Sequence, residues 1–465
     1  MYEQIQAYLA KEIYPFHMPG HKRNPMFLPQ GMANLDITEI PNMDVLCNPT
    51  GIIRDLQEAI AEFYGADSSY LLVNGSTSGI VAAICTACSK GVSLYAPRNG
   101  HVSMYNGIAL SGAVPIYITP EITPDGLAGG IKPESLDTMK EGAVVLVVSP
   151  TYEGFVSDIK EIAARVHSRG GILIVDEAHG AHFRFNDVFP VSALELGADI
   201  VVQSFHKTLP ALGQAGVLHV KGNRVDTARL QFYLQAMQTS SPSYMLMGQL
   251  DYALQMLWKR PEIFETYISR LSGIRRALSA NDVQAISLTG RERVGNHGIY
   301  DIDPGKLLFR VNIYEDPDVL SCILSDQYRV QMEMAYGCHL LAMTSVADTD
   351  EGLQRLWGAI GSLNIKLEHK LDAVAESKKT YDGIRFSKEE NPKTYDGIRF
   401  HIPDAVMPIS DAVKQETELV AWDKAHGRVA GEVIAAYPPG VALVTPGEII
   451  PQGLPQISTH IRVLK

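Results

Sequence analysis

Residues 201–216 read VVQSFHKTLPALGQAG, and Lys207 stands at their centre. The β-branched pair Val201 and Val202 precedes it, and Leu209, Pro210 and Gly213 follow. This pattern predicts a buried strand that runs into a tight loop. Lysine is seldom enclosed without a partner. Desolvation lowers its pKa and leaves a neutral amine able to attack a carbonyl. Ser204, His206 and Thr208 flank it with hydroxyl and imidazole groups suited to a phosphate. One reading is a Schiff-base lysine that holds pyridoxal phosphate (PLP). A surface lysine in a polar loop fits the same residues equally.

Gly171–Gly180, GILIVDEAHG, supplies a second half to that site. Ile172–Val175 is a short apolar run of the kind found in parallel strands buried on both faces. It ends at Asp176, and the carboxyl ends of such strands are where α/β sheets bind ligands. An ionised aspartate beside a pyridine nitrogen keeps that nitrogen protonated and the ring a strong electron sink. Ala178 is small enough to let a flat ring lie close. A helix cap or a structural ion pair also accounts for Asp176. The string Asp176–His179 matches a helicase signature, but the GxxxxGK[ST] loop such an enzyme requires is absent.

SFHKTLPALGQ and VDEAHGAHF occur with NGSTSG at 74–79, PRNGHVS at 97–103 and AYPPGVALVTPGE at 436–448. Together, and in their order along the chain, they resemble the fold-type-I, PLP-dependent Orn/Lys/Arg decarboxylase family, in its short bacterial form without an N-terminal wing domain. The resemblance implies an α/β fold: a large domain with a mostly parallel, doubly wound sheet, and smaller α/β units after it. It implies decarboxylation of arginine, lysine or ornithine to agmatine, cadaverine or putrescine, within polyamine biosynthesis. It also implies a homodimer or higher oligomer with the site at the interface. His101 is implied to stack on the cofactor ring, His179 to join the cofactor-binding set, and Lys207 or His206 to return a proton to Cα.

Further residues fall at the ends of expected strands. Tyr70–Val73 runs into Asn74–Gly79 and then an apolar helix from Ile80 to Ser89. This is a hydroxyl-rich loop at a helix N-terminus, where free N–H groups favour an anion. With the resemblance beside it, Gly75, Ser76 and Thr77 are assigned to the PLP phosphate, with Ser204; alone, the stretch reads equally as a loop with an N-cap. Ser93–Ala96 precedes His101, which also reads as a surface-loop histidine. Val144–Ser149 leads to Thr151, placed either to bond the PLP 3′-oxygen or to cap its turn. Strands alternating with the helices Ile52–Gly65 and Asp158–Gly170 predict a parallel sheet.

The formal charge of −12 argues against nucleic acid and anionic membrane partners. The 5 cysteines make no disulfide framework, and Cys85 and Cys88 read as helix core rather than metal ligands. No apolar leader or membrane-length run occurs, so a reduced, cytoplasmic protein is expected. The expected divisions are an arm (1–50), a large domain (51–300), a small α/β domain (301–378), a linker (379–402) and a tail domain (403–465). The arm contains FHMPGHK at 16–22, and the resemblance places this segment and His17 near the active site; a structural turn accounts for it as well. The linker carries KTYDGIRF twice, at 379–386 and 393–400, which reads as a local duplication without assigned function. In the tail, Glu448 is either a partner for the substrate's distal cation or an ordinary surface carboxylate. An aminotransferase, a C–S or C–C lyase and a catalytically silent homologue remain alternatives at this stage, since fold alone does not choose among them.

Overall fold

The computed structural model describes residues 14–16, 24–27, 44–279, 285–312, 315–378, 402–436, 440–454 and 456–465. His17 and both copies of KTYDGIRF lie outside the described residues. The centre is a seven-stranded sheet built from β1 (Ser68–Leu72), β2 (Ser93–Pro97), β3 (Val114–Ile118), β4 (Val144–Val148), β5 (Ile172–Asp176), β6 (Ile200–Gln203) and β7 (Gly216–Val220). The spatial order is β1-β7-β6-β5-β4-β2-β3. Only β7 runs against its neighbours. The chain is α/β, as the alternation of strands and helices predicts.

Alternate residues of each strand enter different cores. Val145, Val147, Leu173, Val175, Val201 and Val217 join one cluster, with α1 (Ile52–Tyr64) and α4 (Ile159–Ser168) against it. Val144, Leu146, Ile174, Ile200, Val202 and Leu218 join the other, beneath α2 (Gly75–Ala87) and α3 (Val102–Ser111). This double coverage explains why the strand sequences are continuously apolar. α2 starts earlier than the expected Ile80: Asn74 is its N-cap, so the hydroxyl-rich loop is the helix's own first turn. Gly79 lets this helix approach the sheet, since a Cβ there would lie 2.6 Å from a Leu72 methyl. Cys85 and Cys88 are buried at the end of α2, and burial pushes their thiols up to about 11 and about 12.

The chain then forms α5 (Thr227–Met237), α6 (Tyr244–Lys259) and α7 (Glu262–Ser279). A second, antiparallel sheet follows, with β8 (Ile286–Leu288), β9 (Lys306–Val311), β10 (Met334–Tyr336) and β11 (His339–Met343) in the order β8-β9-β11-β10. It takes its first strand from the N-terminal side of residue 301, the boundary expected for the small domain. α8 (Pro317–Tyr328) and α9 (Asp350–Lys378) accompany it. Tyr14, Phe16 and Asn24 of the arm dock on this unit, while Phe27 and Asp44 bond α6. Tyr14–Pro15 pairs with Val330–Gln331, and the Tyr14 hydroxyl donates to Asp348 at 2.7 Å.

The C-terminal segment forms two strand pairs, β12 (Thr417–Ala421) with β15 (His460–Leu464) and β13 (Ile434–Ala436) with β14 (Val441–Val444). It closes on the large domain through a buried ion pair. Arg98 Nη1 and Nη2 donate to the two Glu448 oxygens at 3.0 and 2.7 Å, and Nη2 also donates to Leu443 O. The guanidinium lies 4.8 Å from the Tyr117 ring centre. Breaking a buried pair from one side leaves an unpaired charge, which costs about 3–5 kcal/mol. Arg98→Met should therefore lower the urea midpoint sharply, and Arg98→Met with Glu448→Leu should recover much of the loss. His219, inside β7, contacts Ser69 Oγ at 2.7 Å, and burial alone pulls its pKa from 6.5 to about 3. A histidine depressed on folding contributes stability that is present above its unfolded pKa and lost as pH falls toward the folded value. The urea-midpoint difference between wild type and His219→Gln should be flat above pH 7 and shrink as pH falls from 6.5 toward 3.

Candidate active site

The carboxyl ends of β5 and β6 open on a cavity of about 420 Å³. Asp176 is the last residue of β5. Its backbone pairs with Val202 of β6, so the two strand ends lie side by side. After β6 the chain makes a single helical turn, Phe205–Thr208, which carries Lys207. Both residues line the cavity. Burial raises the Asp176 carboxyl, and the nearby Lys207 amine opposes that shift. Burial lowers Lys207, opposed by Asp176 and Glu333. Each group enclosed alone favours its neutral form; the other's charge opposes this, helped by the Ala178 N–H at Asp176 and by Glu333 at Lys207.

One end of the cavity is a cradle of donors. Gly75, Ser76 and Thr77 form the first turn of α2, where backbone N–H groups lack helical partners. Ser204 Oγ donates to Ser76 Oγ at 2.7 Å, which ties the lysine turn to α2. Gly75 N–H donates to Gln214 O at 3.0 Å. Gly75 and Gln214 both have φ near +75°, at +74° and +78°; the glycine bears this freely, while the glutamine is held there at the cavity wall. His206 Nδ1 lies 2.9 Å from Ala215 O, so it donates there. Burial pulls the His206 pKa to about 4, with Lys207 adding to the shift.

The walls come from several elements. His101 caps α3 through Nδ1, which accepts from Ser103 N–H at 3.2 Å, and burial lowers its pKa to about 4. It is not a surface-loop histidine, because the C-terminal segment lies against it: Val102 N–H donates to Gly440 O, and His101 bridges to Val441. Ala178 lines the cavity, and its N–H donates to Asp176 Oδ1 at 3.2 Å. Thr151 lines it too and also holds its own turn, accepting from Phe155 N–H at 3.2 Å. His179 Nε2 lies 3.0 Å from Lys207 Nζ.

Lys207, Asp176, Ala178, His179, His101, His206, Gly75, Ser76, Thr77, Ser204 and Thr151 thus meet at one cavity. Glu448 does not. Both its oxygens bond Arg98, one also accepts from Thr445 N–H, and it is buried away from the cavity. It is neither a surface carboxylate nor available to a substrate cation, because the C-terminal segment needs it to neutralise Arg98. That segment reaches the cavity with Val441 and Leu443 instead. Tyr152 and Glu153 also line the cavity, and Tyr152 donates to Glu333 at 2.5 Å. Lys306, at the start of β9, lies 2.8 Å from His179 Nδ1. The sequence carried one signal for it: DPGKLLF puts a lysine at the mouth of an apolar strand, the pattern that singles out Lys207.

Among the described residues, no group of three or more His, Cys, Asp or Glu is placed to hold a metal ion, and no helix is long and apolar enough to cross a membrane.

Sequence comparisons agree with this geometry. The Orn/Lys/Arg decarboxylase major domain matches residues 1–321, and the C-terminal domain of the same family matches residues 401–465. An arginine decarboxylase of Bacillus anthracis is 31% identical over 94% of this chain and 87% of its own length. One from Bacillus subtilis (strain 168) is 30% identical over 97% of this chain and 91% of its own. The solved constitutive lysine decarboxylase of Escherichia coli superposes with a TM-score of 0.75 at 19% identity, covering 97% of this chain and 79% of that one. The chain belongs to the Orn/Lys/Arg decarboxylase family, lyases that release the carboxyl group of a basic amino acid.

Proposed function

We propose that the chain binds PLP in this cavity and decarboxylates L-arginine. The observation that carries the cofactor is the meeting, in one cavity, of a buried carboxyl group and a half-buried lysine at adjacent strand ends, with an anion cradle beside them. Asp176 has no cationic side chain bonded to it among the described contacts, and a pyridinium nitrogen is the partner its chemistry fits. Gly75, Ser76, Thr77 and Ser204 would hold the phosphate, His101 and Ala178 the ring, and Thr151 the 3′-oxygen. Bound there, PLP supplies the sink for the electron pair left when CO2 departs.

The protein's own groups do the rest. Lys207 Nζ would hold the cofactor and, once freed and protonated, would be the acid that returns a proton to Cα. His206 is less suited to that step, because its low pKa leaves it unprotonated at neutral pH and its Nδ1 is engaged with Ala215 O. The apolar side chains of Leu127, Val148, Met334, Val441 and Leu443 line the cavity where the carboxylate would leave. Such a lining disfavours that charge relative to CO2. Glu153 lines the cavity and would be the carboxylate for a distal cation, whose charge would oppose the rise that burial gives its pKa. Arginine is preferred because four relatives of 29–31% identity, matched over 87–93% of their own length, are named arginine decarboxylase, while those named lysine decarboxylase are 22–23% identical over 73–74% of theirs. A cytoplasmic homodimer or higher oligomer, serving polyamine biosynthesis, belongs to the same proposal and is supported by the family resemblance.

The test is CO2 release by PLP-loaded protein from arginine, lysine and ornithine in parallel, with the amine identified by mass. Agmatine should dominate. Cadaverine or putrescine as the main product would reassign the substrate, and keto-acid without CO2 would overturn the reaction. Lys207→Ala should be inactive. Asp176→Asn should lose about 10²–10³-fold in kcat, the usual cost of removing one preorganised electrostatic partner.

A further inference from the structure

Lys207 is one end of a chain of three side chains. Its Nζ lies 3.0 Å from His179 Nε2, and Lys306 Nζ lies 2.8 Å from His179 Nδ1. The three residues come from different places: the turn after β6, the loop after β5, and the first residue of β9. His179 and Lys306 are buried. Lys306 has room for this reach because residue 154 is glycine; a Cβ there would lie 2.6 Å from Lys306 Cγ.

The valences of imidazole restrict what such a chain can hold. A neutral ring accepts at one nitrogen and donates from the other. An ammonium has no lone pair. The amine that faces the ring's N–H must therefore be uncharged. Burial between two lysines keeps His179 itself neutral, well below its usual pKa.

The surrounding charges decide which lysine is the cation. Burial lowers Lys306 to about 8, which leaves it a cation at neutral pH; Asp303 and Glu333 oppose the shift, and Glu153, itself pushed toward its neutral form by burial, does so least. Asp303 is held ionised by His182, 3.1 Å away, and by Gly305 N–H at 2.8 Å. The Tyr152 ring centre is 5.7 Å from the Lys306 nitrogen. Lys207 faces Asp176 and Glu333, but burial pushes the Asp176 carboxyl toward its neutral form. Its remaining titratable neighbours, His101 and His206, are uncharged at neutral pH.

We propose that Lys306 and His179 are positioning residues for the lysine nucleophile. The Lys306 ammonium donates to His179 Nδ1, fixes the hydrogen on Nε2, and so holds Lys207 as a neutral amine ready for an aldehyde. This rests on Lys207 being the cofactor lysine. In the capture step the Lys207 nitrogen bonds the aldehyde carbon, the carbon–oxygen bond breaks, and the oxygen leaves as water with both amine hydrogens. No oxidant or reductant is required.

The experiment uses full-length, cofactor-free protein. Competitive acetylation with acetic anhydride across a pH series, read at Lys207 by peptide mass, gives the half-reaction pH of that amine without any cofactor. Removing the Lys306 charge by Lys306→Met should raise it by about one pH unit or more, and so slow PLP capture by up to about tenfold at pH values below the wild-type midpoint. Lys306→Arg, which keeps a cation and a donor, should restore the wild-type profile. An unchanged Lys207 profile in folded Lys306→Met would overturn the proposal. If Lys306→Met does not fold, histidine-ring ¹⁵N NMR of the wild type decides. A protonated Nε2 and bare Nδ1 on His179 supports the chain as drawn, and a protonated Nδ1 overturns it. Failure of the wild type to attach PLP at Lys207 would instead sink the functional reading, because the acetylation profile does not depend on it.

Discussion

The Asp176 carboxylate ends a strand that is paired on both edges and covered on both faces, and it shares its cavity with the Lys207 amine. Burial acts oppositely on the pKa values of these two groups, and their attraction for each other resists both shifts. Much of the architecture serves to keep that opposition in place. The strands that carry them are adjacent and parallel, so their carboxyl ends coincide. β7 returns antiparallel beside β6 and delivers Gln214 against the start of α2, which fixes the donor cradle relative to the lysine turn. A sheet of different order would separate the acid, the amine and the anion site.

A second buried pair governs how the cavity is closed. Arg98 leaves β2 just before the His101 turn, and Glu448 lies just beyond β14. Their bond draws the C-terminal segment on to α3, so that Val441 and Leu443 become cavity wall. A buried ion pair is weak evidence for stability, but its loss from one side is costly, and this makes it a register device. The site is therefore assembled from the large domain, the second sheet and the C-terminal segment together.

The large domain was legible in the sequence because its signals are local. Apolar runs marked β4, β5 and β6, and the helix expected over Asp158–Gly170 is α4. Lys207, Asp176 and the Asn74–Gly79 turn were found because each stands at a strand end. What was not legible depends on contacts between distant segments. Nothing in AYPPGVALVTPGE announces that Glu448 is neutralised by Arg98, far earlier in the chain. Lys306 showed the right local pattern, but its meaning comes only from reaching His179, and a resemblance that lists conserved strings does not supply that distance. The helix start at Gly75 was missed for another reason: glycine and three hydroxyl residues have low helix propensity, and packing against the sheet and α3 overrode it.

The central claim is that this one lysine, opposite Asp176, carries the cofactor. Borohydride reduction of the PLP-loaded protein, followed by peptide mass mapping, tests it directly. The account predicts a single phosphopyridoxyl group on Lys207, with Lys306 unlabelled although it touches the same histidine. Label on Lys306, label scattered over surface lysines, or no stable label would contradict it.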